Sequence, residues 1–289
     1  MHHIGRFAPS PTGKLHLGTL VAALGSWLHV RQRGGSWLIR VDDIDPAREH
    51  PGSAEQIVAG LAHCGLHADA PVLHQSTRLA AYRAALEELQ ARKLVFECWC
   101  SRSDLAAAGQ VHRDGRCVRG PDPERPPALR LRVPPGIISF DDLVYGPRQQ
   151  DVREAIGDFV LRRADGCWSY HLASAIDEAH MGITEVIRGF DLLASTPRQI
   201  LLQRLLGLPS PAWGHLPLVM GTDGDKLSKS GNGPELDTGN PVAALNAALA
   251  HLGQEPELRA GTPLAVQLAR AAATFDLSSL AKRAHSTLH

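Results

Sequence analysis

Residues 6–19, RFAPSPTGKLHLGT, constrain the fold more than any other part of the chain. Phe7 and Ala8 are typical of the end of a buried strand, and the Pro-, Ser- and Gly-rich run after them predicts a tight turn. Apolar residues then recur at helical spacing, at Leu17, Leu20, Val21, Leu24 and Leu28. His16 and Gly18 therefore lie where a strand passes into a helix N-terminus. In an open α/β sheet such a point is a natural anion site, because free backbone N–H groups face the ligand.

Strand-like and helix-like segments alternate along most of the remaining chain. The patterns predict strands at 37–41, 158–163, 184–188 and 216–220, and helices ending near Arg33 and at 53–64, 77–93, 171–180 and 191–206. This alternation predicts an α/β protein with a parallel, doubly wound sheet. We expect four parts: the first half of a nucleotide-binding domain at 1–97, an insertion at 98–150, the second half at 151–236, and a short helical C-terminal tail at 237–289.

Composition limits the classes of partner. The formal net charge is zero and the pI is about 7.3, whereas a protein that grips a long stretch of nucleic acid is usually basic. Any RNA contact is therefore expected to be small or carried by a local patch. Five cysteines are too few for a disulfide scaffold. The sequence shows no signal peptide and no apolar run of membrane-span length, so we expect a cytoplasmic monomer that does not bind membranes.

A second motif, Lys226-Leu227-Ser228-Lys229-Ser230, lies in a Gly- and Asp-rich stretch. Two lysines beside a serine suit a phosphate clamp, since an ammonium group is a point charge that can follow a moving phosphate. The alternative is a solvated lysine loop, which most such loops are.

Together the two motifs resemble the HIGH and KMSKS signatures of class I aminoacyl-tRNA synthetases, the first in the R-x-A-P-S-P-T-G-x-L-H-x-G form of the glutamate and glutamine enzymes. The resemblance implies a Rossmann-like catalytic domain that uses ATP with Mg²⁺. It implies catalytic roles for His16, Lys226 and Lys229. The implied ATP-binding residues are Pro9, Thr12, His16, Gly18, Thr19, Lys226, Ser228 and Lys229.

The same resemblance implies a glutamate pocket. Arg6 would meet a carboxylate of the amino acid, and a planar guanidinium suits that role because it binds a carboxylate bidentately. Asp42 would hold the substrate amine, although the family usually has glutamate there. The implied glutamate-binding residues are Arg6, Phe7, Ala8, Pro9, Ser10, Asp42, Tyr170 and Arg188. Taken singly, Tyr170 could be a core aromatic and Arg188 a surface residue.

Three thiols and an imidazole cluster at Cys98, Cys100, His112 and Cys117. This donor set fits a tetrahedral structural zinc site. The resemblance adds that glutamyl-queuosine enzymes carry zinc in this insertion, often with a tyrosine shortly before the last cysteine as the fourth ligand. This sequence has no tyrosine there, and His112 is the expected ligand. The alternative is a group of buried, reduced cysteines without metal. Arginines crowd the same region and could either touch an RNA backbone or solvate a loop.

The short stretch after the lysine motif indicates no anticodon-binding domain of the kind found in discriminating glutamyl- or glutaminyl-tRNA synthetases. With the cysteine cluster, this favours the glutamyl-Q tRNA(Asp) synthetase branch. That branch activates L-glutamate with ATP in the absence of tRNA and transfers it to the queuosine base in the anticodon stem-loop of tRNA(Asp). Two alternatives stay open: a truncated glutamyl-tRNA synthetase that charges a tRNA 3′ end, and a non-catalytic paralogue that binds ATP, glutamate or RNA.

Overall fold

The computed structural model describes residues 2–107, 111–219, 240–255 and 258–280. Its strands are β1 (Ile4–Phe7), β2 (Ser36–Val41), β3 (Leu73–His74), β4 (Val95–Cys98), β5 (Ala128–Leu131), β6 (Ile137–Asp142), β7 (Gly146–Asp151), β8 (Val160–Arg162), β9 (Glu185–Gly189) and β10 (Ala212–Leu216). Its α-helices are α1 (Leu17–Gln32), α2 (Ser53–His63), α3 (Leu79–Ala91), α4 (Arg102–Ala107), α5 (Val152–Ala155), α6 (Tyr170–His180), α7 (Thr196–Leu205), α8 (Pro241–His251) and α9 (Leu264–Thr274).

A mostly parallel sheet with the strand order β3-β2-β1-β9-β10-β6-β7 forms the centre of the protein. Neighbouring strands from β3 to β6 run parallel, and β7 returns antiparallel to β6. A smaller antiparallel sheet has the order β4-β5-β8. The predicted α/β class with a parallel sheet is therefore confirmed.

Apolar side chains cover both faces of the central sheet. On β2, Trp37 and Ile39 belong to the core beneath α1, α8 and α9, whereas Leu38 packs into the core formed by α3, α6 and α7. Successive side chains of a strand point to opposite faces, so this alternation shows a sheet covered on both sides, as the doubly wound prediction requires. No helix in the part of the chain that the structure describes has the length and apolar character of a membrane span.

The prediction for the last parallel strand is wrong in position. The apolar run at 216–220 predicted it, but β10 ends at Leu216 and pairs with β9 from Ala212↔Glu185 to Leu216↔Gly189. Residue 220 lies outside the described residues. Pro217 follows directly, and proline has no N–H to donate to a strand ladder.

The small and central sheets interleave along the chain. The β6–β7 hairpin falls inside the range expected for the insertion, yet it joins the central sheet next to β10. β8 lies after that range and joins the small sheet with β5. The four-part division of the chain stays a prediction.

Candidate active site

A cavity of about 620 Å³ opens where β1, β9 and β10 end. This is the carboxyl edge of the parallel strands, where open α/β folds bind ligands. Most of the residues expected from the sequence to bind ATP or glutamate line it, namely Arg6, Phe7, Ala8, Pro9, Ser10, Thr12, His16, Gly18, Thr19, Tyr170 and Arg188. Their assignment to particular ligands stays a prediction.

The turn between β1 and α1 is held from two sides. His16 is the N-cap of α1, and its Nδ1 accepts a hydrogen bond of 3.3 Å from the Thr19 backbone N–H. A Cβ at Gly18 would lie 3.2 Å from Cε1 of His16, so glycine lets the imidazole lie against the first turn. From α2, Ser53 Oγ donates to the Gly13 carbonyl and accepts from the Gly13 N–H at 3.2 Å. The cavity wall around His16 is therefore fixed by local contacts.

The lysine motif with Lys226, Ser228 and Lys229 lies outside the described residues. The chain segment that precedes it does reach the site, because Leu216, Pro217, Leu218 and Val219 line the cavity.

Arg6 lines the cavity from a buried position. It is 2% exposed, and its Nη2 donates to Glu178 Oε1 at 2.7 Å. Its Nε is buried and has no hydrogen-bond partner among the described residues. Arg6 therefore brings a cation to the cavity wall, and its described charge partner is Glu178.

Asp42 is placed differently from the other expected glutamate-binding residues. It is not among the described cavity-lining residues, and its carboxylate accepts from Arg40 Nε at 2.6 Å and Arg40 Nη2 at 3.1 Å. Arg40 belongs to β2, and Asp42 is the first residue after that strand. Burial raises the pKa of Asp42, and the charge of Arg40 opposes that rise. Its role toward a substrate amine stays a prediction that this contact does not favour.

The described cavity lining contains one carboxylate, that of Asp191. Asp191 follows Arg188 in the sequence Arg188-Gly189-Phe190-Asp191, and none of the ligand roles implied by the resemblance falls on it. A Cβ on Gly189 would lie 2.6 Å from Asp191 Oδ1. Glycine at 189 therefore lets this carboxylate lie close to the backbone of the cavity wall.

Behind Arg188 lies a pair that sequence reasoning missed. His215 Nδ1 is 2.5 Å from Asp142 Oδ2, and both side chains are fully buried. The two residues belong to β10 and to the end of β6, so no local sequence pattern links them.

The buried imidazole of His215 predicts a loss of stability in acid. Burial lowers the pKa of His215 from 6.5 to about 4. Between these values the unfolded chain binds a proton that the folded protein excludes, so stability falls as the pH falls. We expect His215 to contribute a drop of about 2 kcal/mol in the free energy of unfolding between pH 7 and pH 5, at about 1.4 kcal/mol per pH unit below 6.5. Urea unfolding at the two pH values measures this, and His215→Gln should show a smaller pH dependence than the wild type. Equal dependence in the two proteins would contradict the assignment.

The expected metal ligands come together at the end of β4, a strand of the small sheet. The ligand atoms of Cys98, Cys100, His112 and Cys117 all lie within 4.8 Å of one another. His112 is buried, and its Nδ1 lies 3.1 Å from Asp158 Oδ2. A carboxylate on the far nitrogen of a histidine commonly orients a metal ligand. Burial lowers the pKa of His112, which favours the neutral imidazole that binds metals. The donor set and its support fit Zn²⁺.

Comparison with known proteins identifies the class of protein to which this fold and cavity belong. A family model described as "tRNA synthetases class I (E and Q), catalytic domain" matches residues 4–234. The chain is similar to the glutamate-tRNA synthetase of Elizabethkingia anophelis, with a TM-score of 0.77 and 28% identity over 98% of this chain and 67% of that one. It is also similar to a glutamate tRNA ligase from Elizabethkingia meningosepticum, solved in complex with its amino acid, with a TM-score of 0.77 and 25% identity over 96% of this chain and 65% of that one.

Curated relatives specify the branch. A protein of Xanthomonas axonopodis pv. citri named glutamyl-Q tRNA(Asp) synthetase is 55% identical over 88% of this chain and 84% of its own length. One of Burkholderia cenocepacia with the same name is 49% identical over 89% of this chain and 91% of its own length. The chain therefore belongs to the glutamyl-Q tRNA(Asp) synthetase family, whose catalytic domain is of the class I type, and it is a ligase of the aminoacyl-tRNA synthetase kind.

Proposed function

We propose that this protein activates L-glutamate with ATP, without needing tRNA, and transfers the glutamyl group to the queuosine base in the anticodon loop of tRNA(Asp). The observation that carries the proposal is the cavity itself. It combines a helix N-terminus suited to phosphates with Arg6, a guanidinium cation in the wall suited to a carboxylate. The names of the close relatives supply the acceptor. We further propose that the protein works as a cytoplasmic monomer.

In this mechanism the side-chain carboxylate of glutamate lies on Arg6, and the phosphates of ATP lie along the turn and the first residues of α1. An oxygen of the glutamate α-carboxylate attacks the α-phosphorus in line. One C–O–P linkage forms, the bond from the α-phosphorus to the bridging oxygen breaks, and pyrophosphate leaves with its electron pair. Positioning supplies much of the rate. His16, Lys226 and Lys229 stabilise the charge that develops on the phosphates.

A hydroxyl oxygen of queuosine then attacks the carbonyl carbon of the mixed anhydride. The ester C–O bond forms, the bond from the carbonyl carbon to the phosphate oxygen breaks, AMP leaves with that electron pair, and the hydroxyl proton passes to solvent. Mg²⁺, when bound with ATP, would neutralise charge on the phosphate oxygens. Zn²⁺ would be held by Cys98, Cys100, His112 and Cys117 and would stabilise the small sheet rather than take part in the reaction.

The decisive experiment is ATP–pyrophosphate exchange with each amino acid, in the presence and absence of tRNA, followed by transfer of labelled glutamate to tRNA(Asp) with and without queuosine. Exchange with glutamate alone and transfer that requires queuosine would support the proposal. Exchange only with tRNA(Glu) would favour the truncated glutamyl-tRNA synthetase, and no exchange would favour the non-catalytic paralogue.

Arg6→Lys should raise the KM for glutamate in this assay by about ten to one hundredfold. Lysine keeps the positive charge that buried Glu178 needs, but it loses the fork that binds a carboxylate through two N–H groups. The KM for ATP should stay close to that of the wild type. Arg31→Lys is the matched control, because Arg31 pairs with Asp69 outside the cavity. An unchanged KM for glutamate in Arg6→Lys would remove Arg6 from the proposed pocket.

A further inference from the structure

Three buried side chains form a line across neighbouring strands and end at the cavity wall. Asp142, at the end of β6, contacts His215 on β10, and His215 Nε2 accepts from Arg188 Nε on β9 at 3.1 Å. Arg188 and His215 occupy paired positions in the register of β9 and β10. Exposed fractions are 3% for Asp142, 0% for His215 and 4% for Arg188, so solvent competes little for these hydrogen bonds.

The neighbours of Asp142 determine where the imidazole carries its proton. Oδ1 of Asp142 accepts the backbone N–H groups of Val144 at 3.0 Å and Tyr145 at 2.9 Å. The ionised carboxylate only accepts hydrogen bonds, so His215 donates its Nδ1–H to Oδ2. The Nε2 lone pair is then left for Arg188, which can only donate. The neutral Nδ1–H tautomer of His215 satisfies both neighbours. Its Nε2 also lies 3.2 Å from Thr196 Oγ1, whose hydroxyl can donate to it while accepting from Arg188.

Nearly every N–H group of Arg188 donates a hydrogen bond to a neighbouring residue. Its Nη2 donates to Thr196 Oγ1 at 2.8 Å and to the Leu192 carbonyl at 3.2 Å. Its Nη1 donates to the Tyr170 hydroxyl at 3.1 Å, and both Arg188 and Tyr170 line the cavity. With Nε on His215, few N–H groups of Arg188 are available to a ligand. The guanidinium is therefore better suited to orienting Tyr170 than to binding a substrate carboxylate by itself.

We infer that Asp142 and His215 are positioning residues for the amino-acid half of the cavity. They hold Arg188 in one orientation, and Arg188 holds the Tyr170 hydroxyl against the substrate. The identity of that substrate as glutamate rests on the proposed function. In the other neutral tautomer, Nε2–H of His215 could donate to Thr196 Oγ1, but it would face the Nε–H group of Arg188, which would lose its acceptor. The guanidinium would then have to turn, and the Tyr170 hydroxyl would lose its partner.

Asp142→Asn tests this tautomer directly. Asparagine has nearly the same size as aspartate. Its carbonyl oxygen can still accept hydrogen bonds from the backbone N–H groups of Val144 and Tyr145. Its amide nitrogen then faces His215 Nδ1 and donates to it, which moves the imidazole proton to Nε2. We expect the KM for glutamate in pyrophosphate exchange to rise by roughly ten to one hundredfold and the KM for ATP to change less than about twofold.

Asp69→Asn is the matched control. Its carboxylate accepts from the Trp37 backbone N–H and from Arg31, at the opposite end of β2 from the cavity edge. A general loss of packing would affect both variants, whereas the inference predicts a change in the KM for glutamate in Asp142→Asn alone.

Two variants of His215 separate its two hydrogen bonds. His215→Gln can place an acceptor near the former Nε2 and so keep the hydrogen bond from Arg188. His215→Asn can keep only the hydrogen bond to Asp142. The inference expects the glutamine variant to retain a KM for glutamate closer to that of the wild type.

Nitrogen-15 NMR of labelled histidine gives a readout that does not depend on activity. The wild type should show His215 as the Nδ1–H tautomer and Asp142→Asn as the Nε2–H tautomer. An Nε2–H tautomer in the wild type would overturn the inference. So would a switched tautomer with an unchanged KM for glutamate, while the proposed function would stand. A wild type without glutamate-dependent exchange would instead refute the proposed function, and the tautomer would still decide the positioning of Arg188.

Discussion

Lys229→Ala should lower the rate of glutamate-dependent pyrophosphate exchange by about 10²- to 10³-fold, with little change in ATP binding. Charge accumulates on the α-phosphate and the leaving pyrophosphate only as the reaction proceeds. A preorganised cation that meets this charge lowers the barrier more than it stabilises bound ATP. The lysine motif follows residues 216–219 in the sequence, and those residues line the cavity.

The measurement pairs exchange kinetics with calorimetric titration of ATP. Lys93→Asn is the control, because Lys93 is an exposed lysine after α3 with a φ of 59°, a backbone conformation that asparagine tolerates. A kcat within about threefold of the wild type in Lys229→Ala would contradict a role in the transition state. Loss of ATP binding together with activity would assign the lysine to ground-state binding instead.

The local structure around His16 is the part of the site that the sequence predicted most accurately. The strand, turn and helix there are adjacent in the chain, so proline, glycine and helical periodicity specify them locally. Leu17–Gln32 forms the helix that the apolar spacing predicted. The cysteine cluster could also be predicted from the sequence. Its members, Cys98, Cys100, His112 and Cys117, are close in sequence, so a single folded loop brings them together.

The parts that sequence reasoning missed depend on contacts between distant strands. Asp142 and His215 are 73 residues apart and meet because β6 lies beside β10. Asp42 was expected to reach the substrate, and only the structure shows Arg40 occupying its carboxylate. The shift of β10 to Ala212–Leu216 follows from its pairing with β9 and from Pro217. Such pairings are set by the register of the whole sheet, which a single local pattern does not encode.

The cysteine cluster carries the largest expected effect on stability. Structural zinc sites contribute about 10 kcal/mol or more of binding free energy, and that energy becomes folding energy where the site forms only in the folded protein. Cys98 belongs to β4, and His112 is tied through Asp158 to the backbone N–H of Val133 at 2.9 Å, just after β5. Loss of the metal should therefore loosen the small sheet and leave the central sheet folded.

Cys100→Ser should reduce bound zinc from about one atom per chain to a small fraction, and it should increase hydrogen exchange in peptides covering 95–107 and 111–131. Serine has nearly the same shape as cysteine but lacks the thiolate that binds Zn²⁺. Cys167→Ser is the matched control, since Cys167 is a partly exposed cysteine outside the cluster. Elemental analysis and hydrogen-exchange mass spectrometry measure both effects, and a strong chelator should reproduce them in the wild type.

A wild-type protein purified with zinc available but containing none would exclude the metal. Full zinc content in Cys100→Ser would exclude this ligand. Loosening that extends to α1 and β1 would show that the metal supports the whole catalytic domain rather than the small sheet alone, because those elements form the wall of the cavity.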